Sequence, residues 1–111
     1  MAKEPPDAVI VQPSLPTKRA AELALQYRIP AVSFVRAIVE EGALMTFGVV
    51  EADVYRRVAV FADKVLKGAK PADLPVEQPT RFELVINLQT AKAIGHEVPA
   101  GLVLRADKVI E

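Results

Sequence analysis

Nine residues in three short groups carry most of the chemistry this chain could do: Gln12, Pro13 and Ser14; Ser33, Phe34 and Arg36; and Thr46, Phe47 and Gly48. Together they offer hydroxyls and an amide for hydrogen bonds, a guanidinium suited to a carboxylate, and aromatic faces for packing. That set fits recognition of a small amino-acid-like solute better than it fits a reaction. Each residue also has a purely structural account, with Ser14 capping a helix, Phe34 and Phe47 in a core, and Arg36 in solvent.

Groups for bond-making are sparse. The single histidine, His96, lies between Gly95 and Glu97 in an expected turn with no second histidine or cysteine at ligand spacing, so it reads as a solvated loop residue. Ser14 and Ser33 are the only serines, and neither sits in a G-x-S-x-G elbow. Glycines at 42, 48, 68, 95 and 101 form neither a dinucleotide fingerprint nor a phosphate loop. Glu40 and Glu41 would point to different faces of a helix, which argues against a paired acid and base. No catalytic residue, metal ligand or cofactor is expected.

The elements that must position the three groups follow from patterning. Ala8 to Val11 is a continuous apolar run that suits a parallel strand covered on both faces. Ser14 can cap and Pro16 can enter the first turn of a helix to about Arg28, which Pro30 stops. Ala31 to Val35 is the next strand, completing a βαβ unit with a right-handed crossover. A short helix, Arg36 to Glu41, ends at Gly42, and a third strand, Ala43 to Phe47, ends at Gly48. In an open parallel sheet, ligands settle beyond the carboxyl ends of the strands. All three groups fall on that one rim.

A long helix from about Glu51 to Lys67 places Val54, Val58, Phe61 and Val65 on one face, with Asp53–Arg57 and Asp63–Lys67 as exposed pairs four apart. Arg56 and Arg57 read as exposed helix surface, and Gly68 as the residue closing that helix. Pro71, Pro75 and Pro79 should stretch residues 70–79 into an extended arm. The arm delivers a strand in which Phe82, Leu84, Ile86 and Leu88 alternate with Arg81, Glu83 and Asn87. Gly95 closes a short helix, and Pro99 starts a last one striped by Leu102, Ala106 and Val109 or Ile110.

Composition bounds the class. With 111 residues, 51% of them hydrophobic, one modest core is the expectation, leaving roughly a third of the unfolded surface exposed. Fourteen basic and fourteen acidic side chains cancel, so no net field draws nucleic acid or an anionic membrane. The absence of cysteine excludes disulfides and thiolate chemistry. The opening MAKEPPDAVIVQPS lacks the apolar core and cleavage site of an export signal, and no stretch approaches membrane-spanning length, which points to the cytoplasm.

The run GAKPADLPVEQPTRFELVINLQTAKAIG, residues 68–95, closely resembles the C-terminal signature of substrate-binding proteins of ABC transporters in the tryptophan/tyrosine-type family. The resemblance extends to DAVIVQPSLPTKRAAELALQYRIPAVSF, GALMTFG, YRRVAVFADKVLKGA and the final RADKVIE. It implies a periplasmic-binding-protein-like I fold. Members of that family are much longer, exported and two-lobed, so the chain resembles their C-terminal third.

The fold expected is therefore α/β: a three-layer, partial, doubly wound and mostly parallel sheet, half of one lobe, with an extended arm and a C-terminal strand. As a single domain it divides into a βαβ-αβ core over 7–48, the long helix 51–68, the arm 69–79 and C-terminal elements over 80–111. The relatives bind solute between lobes, which favours the nine rim residues as a ligand site and an ABC permease as a partner. Phe47 stands where the family commonly has the tyrosine of an SYG triplet, so a phenolic hydroxyl is absent there.

Removing the rest of the lobe would leave Ala8 to Val11 as an unpaired edge, a template for a second copy. A homodimer or higher homo-oligomer is thus expected, with exchange of the final strand as one route. Three functions remain open: a non-catalytic solute-binding module, a structural or vestigial homo-oligomer without ligand, and an enzyme acting on a small metabolite.

Overall fold

The computed structural model describes residues 4–111; the reading of Met1 to Lys3 as part of a start without an export signal concerns residues outside that range. The described chain forms two compact units, residues 4–48 with 83–111, and residues 49–82.

The first unit is built on a five-stranded sheet in the order β1 (Val9–Ile10), β2 (Ala31–Ser33), β3 (Met45–Val49), β4 (Phe82–Asn87) and β5 (Lys108–Ile110). β1 with β2, β2 with β3, and β4 with β5 are parallel, in registers that set Val9 beside Ala31, Ser33 beside Thr46, and Ile86 beside Val109. Between β3 and β4 the Asn87 N–H donates to the Leu44 carbonyl and the Val50 N–H to the Arg81 carbonyl, so partners run in opposite directions. β4 and β5 therefore point against the first three strands. The fold is α/β with a mostly parallel sheet, as the patterning and the resemblance imply.

The core is assembled from α1 (Thr17–Gln26) and α2 (Ala37–Glu40) against β1 and β2. Val11, Ala21, Ala24, Ala31, Ile38 and Ala43 are buried together there, with Val9 and Ala20 against them. Small residues at 21 and 24 let α1 approach closely. Leu84, Val85 and Ile86 of β4 are all buried, so that strand is covered on both faces.

Two helix ends show what local chemistry requires. After α2, Gly42 adopts a φ of 117° and lets the Ala43 N–H reach back to the Ile38 carbonyl at 3.0 Å. α1 closes in the same way, with the Ile29 N–H on the Ala24 carbonyl at 2.8 Å, but the residue at positive φ is Arg28 (56°). A short α4 (Leu88–Ile94) is capped by Asn87, whose side-chain oxygen accepts from the Thr90 N–H. His96 is exposed and donates its N–H to the Ala91 carbonyl at 2.9 Å, a turn role.

Several expectations are corrected. The last helix, α5, spans only Ala100–Arg105, and Val109 and Ile110 belong to β5. Asp107 causes the break: its carboxylate accepts from the Leu84 N–H at 2.7 Å while its own N–H donates to the Leu84 carbonyl at 2.8 Å. Ser14 does not cap α1; Pro16 is the residue at that position, and no side chain caps the helix. Leu88 starts α4 instead of ending the strand. Gly48 lies inside β3 instead of terminating it. β1 is not covered on both faces, because Ile10 is 76% exposed at the sheet's outer strand.

The second unit holds α3 (Glu51–Leu66) and the arm. α3 buries none of its residues fully; Val54 and Phe61 are partly covered, while Val58 and Val65 of the same stripe are exposed. One turn of 3₁₀ helix at Pro71–Asp73 interrupts the arm, which is extended after it. Asp63 pairs with Lys67 at 3.1 Å as the spacing implies. Asp53 instead pairs with Arg56 at 3.4 Å and with Arg81 at 2.8 Å, freeing Arg57 for the arm.

Candidate functional site

Parallel registers bring the carboxyl ends of β1, β2 and β3 to one edge of the first unit, so the three residue groups do share a rim. Within it they divide into buried and exposed sets. Ser33 and Thr46 face each other across the register and are both buried. The Ser33 hydroxyl donates to the Val11 carbonyl at 2.8 Å and accepts from the Val35 N–H at 3.3 Å. Its polar capacity is spent on tying the ends of β1 and β2 together.

One position further on, alternation reverses the outlook. Phe34 and Phe47 follow Ser33 and Thr46 and are 53% and 58% exposed, large apolar surfaces left on the rim. They are not core residues. The backbones there are pressed together: a Cβ on Gly48 would overlap the Phe34 carbonyl oxygen and crowd its Cα. Glycine is needed at 48 for close approach. Gln12, Pro13 and Ser14 are exposed in a turn that the Leu15 N–H closes onto the Gln12 carbonyl at 3.2 Å.

Arg36 reaches an anion that the sequence did not single out. Its Nη1 lies 3.3 Å from Oε1 of Glu83, with the two side chains 50% and 26% exposed. Glu83 arrives because β4 runs opposite to β2, which sets the start of one strand near the end of the other. The alternation of Arg81, Glu83 and Asn87 marked a polar face, but only strand direction could assign Glu83 to this rim. The arrangement supplies aromatic surface, one cation and one anion. It holds no nucleophile beside a base, and among the described residues no group of three or more His, Asp or Glu could hold a metal ion.

In the second unit, a concavity of about 500 Å³ lies between α3 and residues 77–81, lined by Val54, Val58, Phe61 and Pro79 among others. Arg57 fixes its wall by a two-pronged pair with Glu77, Nε to Oε2 at 2.8 Å and Nη2 to Oε1. Hydrogen bonding from Arg57 holds the Glu77 carboxyl below the usual carboxylate range, and the same bond raises the Arg57 guanidinium. The Arg57 guanidinium also stands 5.5 Å from the Phe61 ring centroid. Among the described residues no helix is long and apolar enough to cross a membrane.

Comparison with known proteins matches this architecture to one family. The family of ABC transporter substrate binding proteins matches residues 8–110. A conserved domain protein from Vibrio cholerae superposes with a TM-score of 0.86 at 22% identity, over 93% of this chain and 36% of that one. An ABC domain from Streptococcus pneumoniae in complex with L-Trp gives 0.72 at 30% identity, over 81% of this chain and 31% of that one. A ligand-free, open substrate binding protein with adhesive properties from Clostridium difficile gives 0.62 at 21% identity, over 94% and 36%. A search of the curated proteins found no match. The chain thus spans about a third of the length of the structures it resembles. On the strength of a match over almost all of its residues, this chain belongs to the ABC transporter substrate binding protein family.

Proposed function

We propose that the protein is a non-catalytic solute-binding module whose rim at the ends of β1, β2 and β3 contributes one wall of a site for an amino-acid-like solute. The observation that carries this is that Phe34 and Phe47, each one residue past the paired Ser33 and Thr46, are exposed on the rim, with Arg36 two residues from Phe34. Burying large aromatic faces against a flat apolar group is favourable, and a guanidinium provides charged donors for a carboxylate. The L-Trp held by the pneumococcal relative supports an aromatic amino acid as the first choice. Of the nine rim residues, Gln12, Pro13, Ser14, Phe34, Arg36 and Phe47 would touch solute. Ser33, Thr46 and Gly48 would shape the rim from beneath. An ABC permease is the partner that family membership favours.

A thermal-shift screen of the 111-residue chain with aromatic and branched amino acids tests this reading. A ligand that binds the folded state raises the melting temperature by mass action. L-Tryptophan at 1 mM should raise it measurably; a flat response to every amino acid would refute the proposal.

A second reading, self-association without ligand, draws on β1. Among the described residues that outer strand pairs with β2 alone, and Ile10 is largely exposed. Light scattering after size exclusion tests it, since a dimer or larger assembly is expected and a monomer at every concentration contradicts it.

A further inference from the structure

We infer that Glu83 makes the rim selective for zwitterions over simple carboxylates, an inference that rests on the solute-binding reading. An arginine alone would recruit any aromatic carboxylate. Here the guanidinium of Arg36 stands 3.3 Å from the Glu83 carboxylate, and the local charge is already balanced.

An incoming anion that takes donors from Arg36 must approach Glu83 as well, and like charges in contact repel. An α-amino acid carries its own ammonium one carbon from its carboxylate. It can present the carboxylate to Arg36 and the ammonium to Glu83 together, so both charges of the protein remain matched.

The exchange is inexpensive for the protein. The side chain of Arg36 is half exposed, and a guanidinium has five N–H donors, so one contact to Glu83 leaves others for a ligand. A partly exposed ion pair with a single contact of this kind contributes little to folding and is readily rearranged. Glu83 sits at the start of β4, whose next residues, Leu84 to Ile86, are buried. Its backbone is thereby held in a rigid strand, an arrangement that favours discrimination.

Calorimetric titration with L-tryptophan, 3-indolepropionate and tryptamine tests this on the wild type, E83Q and R36Q, with circular dichroism to confirm folding. Wild type should prefer L-tryptophan over 3-indolepropionate by tenfold or more. E83Q should collapse that ratio toward one by gaining the propionate, a gain that damage to the fold would not produce. R36Q should weaken both carboxylates and spare tryptamine. Wild type that binds L-tryptophan with a ratio unchanged in E83Q would overturn the role of Glu83 and leave solute binding standing. Absence of binding to L-tryptophan and every other amino acid would overturn both.

Discussion

The hydroxyl of Ser33 donates to the carbonyl oxygen of Val11 across the ends of two neighbouring strands, a buried bond of 2.8 Å. It fixes the rim on which the exposed Phe34 stands, and it takes Ser33 out of the set of groups that could face a solute. Ser33→Ala should therefore cost about 1–3 kcal/mol by leaving the Val11 oxygen buried without this donor. Urea unfolding measures the loss, and an unchanged midpoint would show that the bond contributes nothing.

Gly48 and Phe34 make a second constraint on the same rim. A methyl at 48 would meet the Phe34 carbonyl, which is backbone and cannot swing aside. Gly48→Ala should destabilise by about 1–3 kcal/mol, as overpacking does. Thermal unfolding checks it.

Much of this rim was legible in the sequence. The apolar runs at 8–11, 31–35 and 43–47 placed three parallel strands, and that alone put Gln12 to Ser14, Ser33 to Arg36 and Thr46 to Gly48 on one edge. What could not be read was whether each side chain faces in or out, because the strands are short and covered on at least one side. The buried Ser33 and exposed Phe34 invert the usual preference of their residue types. Glu83 was out of reach for another reason: a strand after a long arm has no direction until its partners are known. Asp107 similarly breaks the last helix through a bond to Leu84, distant in sequence.

Arg28 offers an improvement in place of a loss. It closes α1 at a positive φ that L-residues with a Cβ disfavour, in a position that α2 fills with Gly42. Arg28 is exposed and lies outside the rim. Arg28→Gly should stabilise the protein by about 0.5–1 kcal/mol, the left-handed strain relieved exceeding the added chain entropy. A lower melting temperature would contradict that.

The arm responds to pH through Glu77. Its carboxyl is held below the usual range by Arg57, so the pair's contribution is present at neutral pH, above the carboxylate's unfolded value. As pH falls through the lowered value, Glu77 takes up a proton and the contribution disappears. The Glu77 carboxyl resonance of the wild type should titrate at lower pH than that of an unpaired glutamate, and R57Q should return it to the usual carboxylate range. A Glu77 titration that is the same with and without Arg57 would contradict the assignment.

A buried polar knot marks the far end of β4. Asn87 donates from its side chain to the Val39 carbonyl at 3.0 Å and caps α4, while the Thr90 hydroxyl holds the Gly42 carbonyl at 3.1 Å. Asn87→Leu leaves the Val39 carbonyl and the Thr90 N–H without their partner, and a loss of about 2–3 kcal/mol is expected in urea unfolding.

The central claim is best tested by following backbone amide resonances of the isotopically labelled chain during titration with L-tryptophan. The account predicts saturable shifts at Phe34, Arg36, Phe47, Gly48 and Glu83, with Asn87 and Thr90 unmoved. Shifts confined to residues 49–82, or none anywhere, would contradict it.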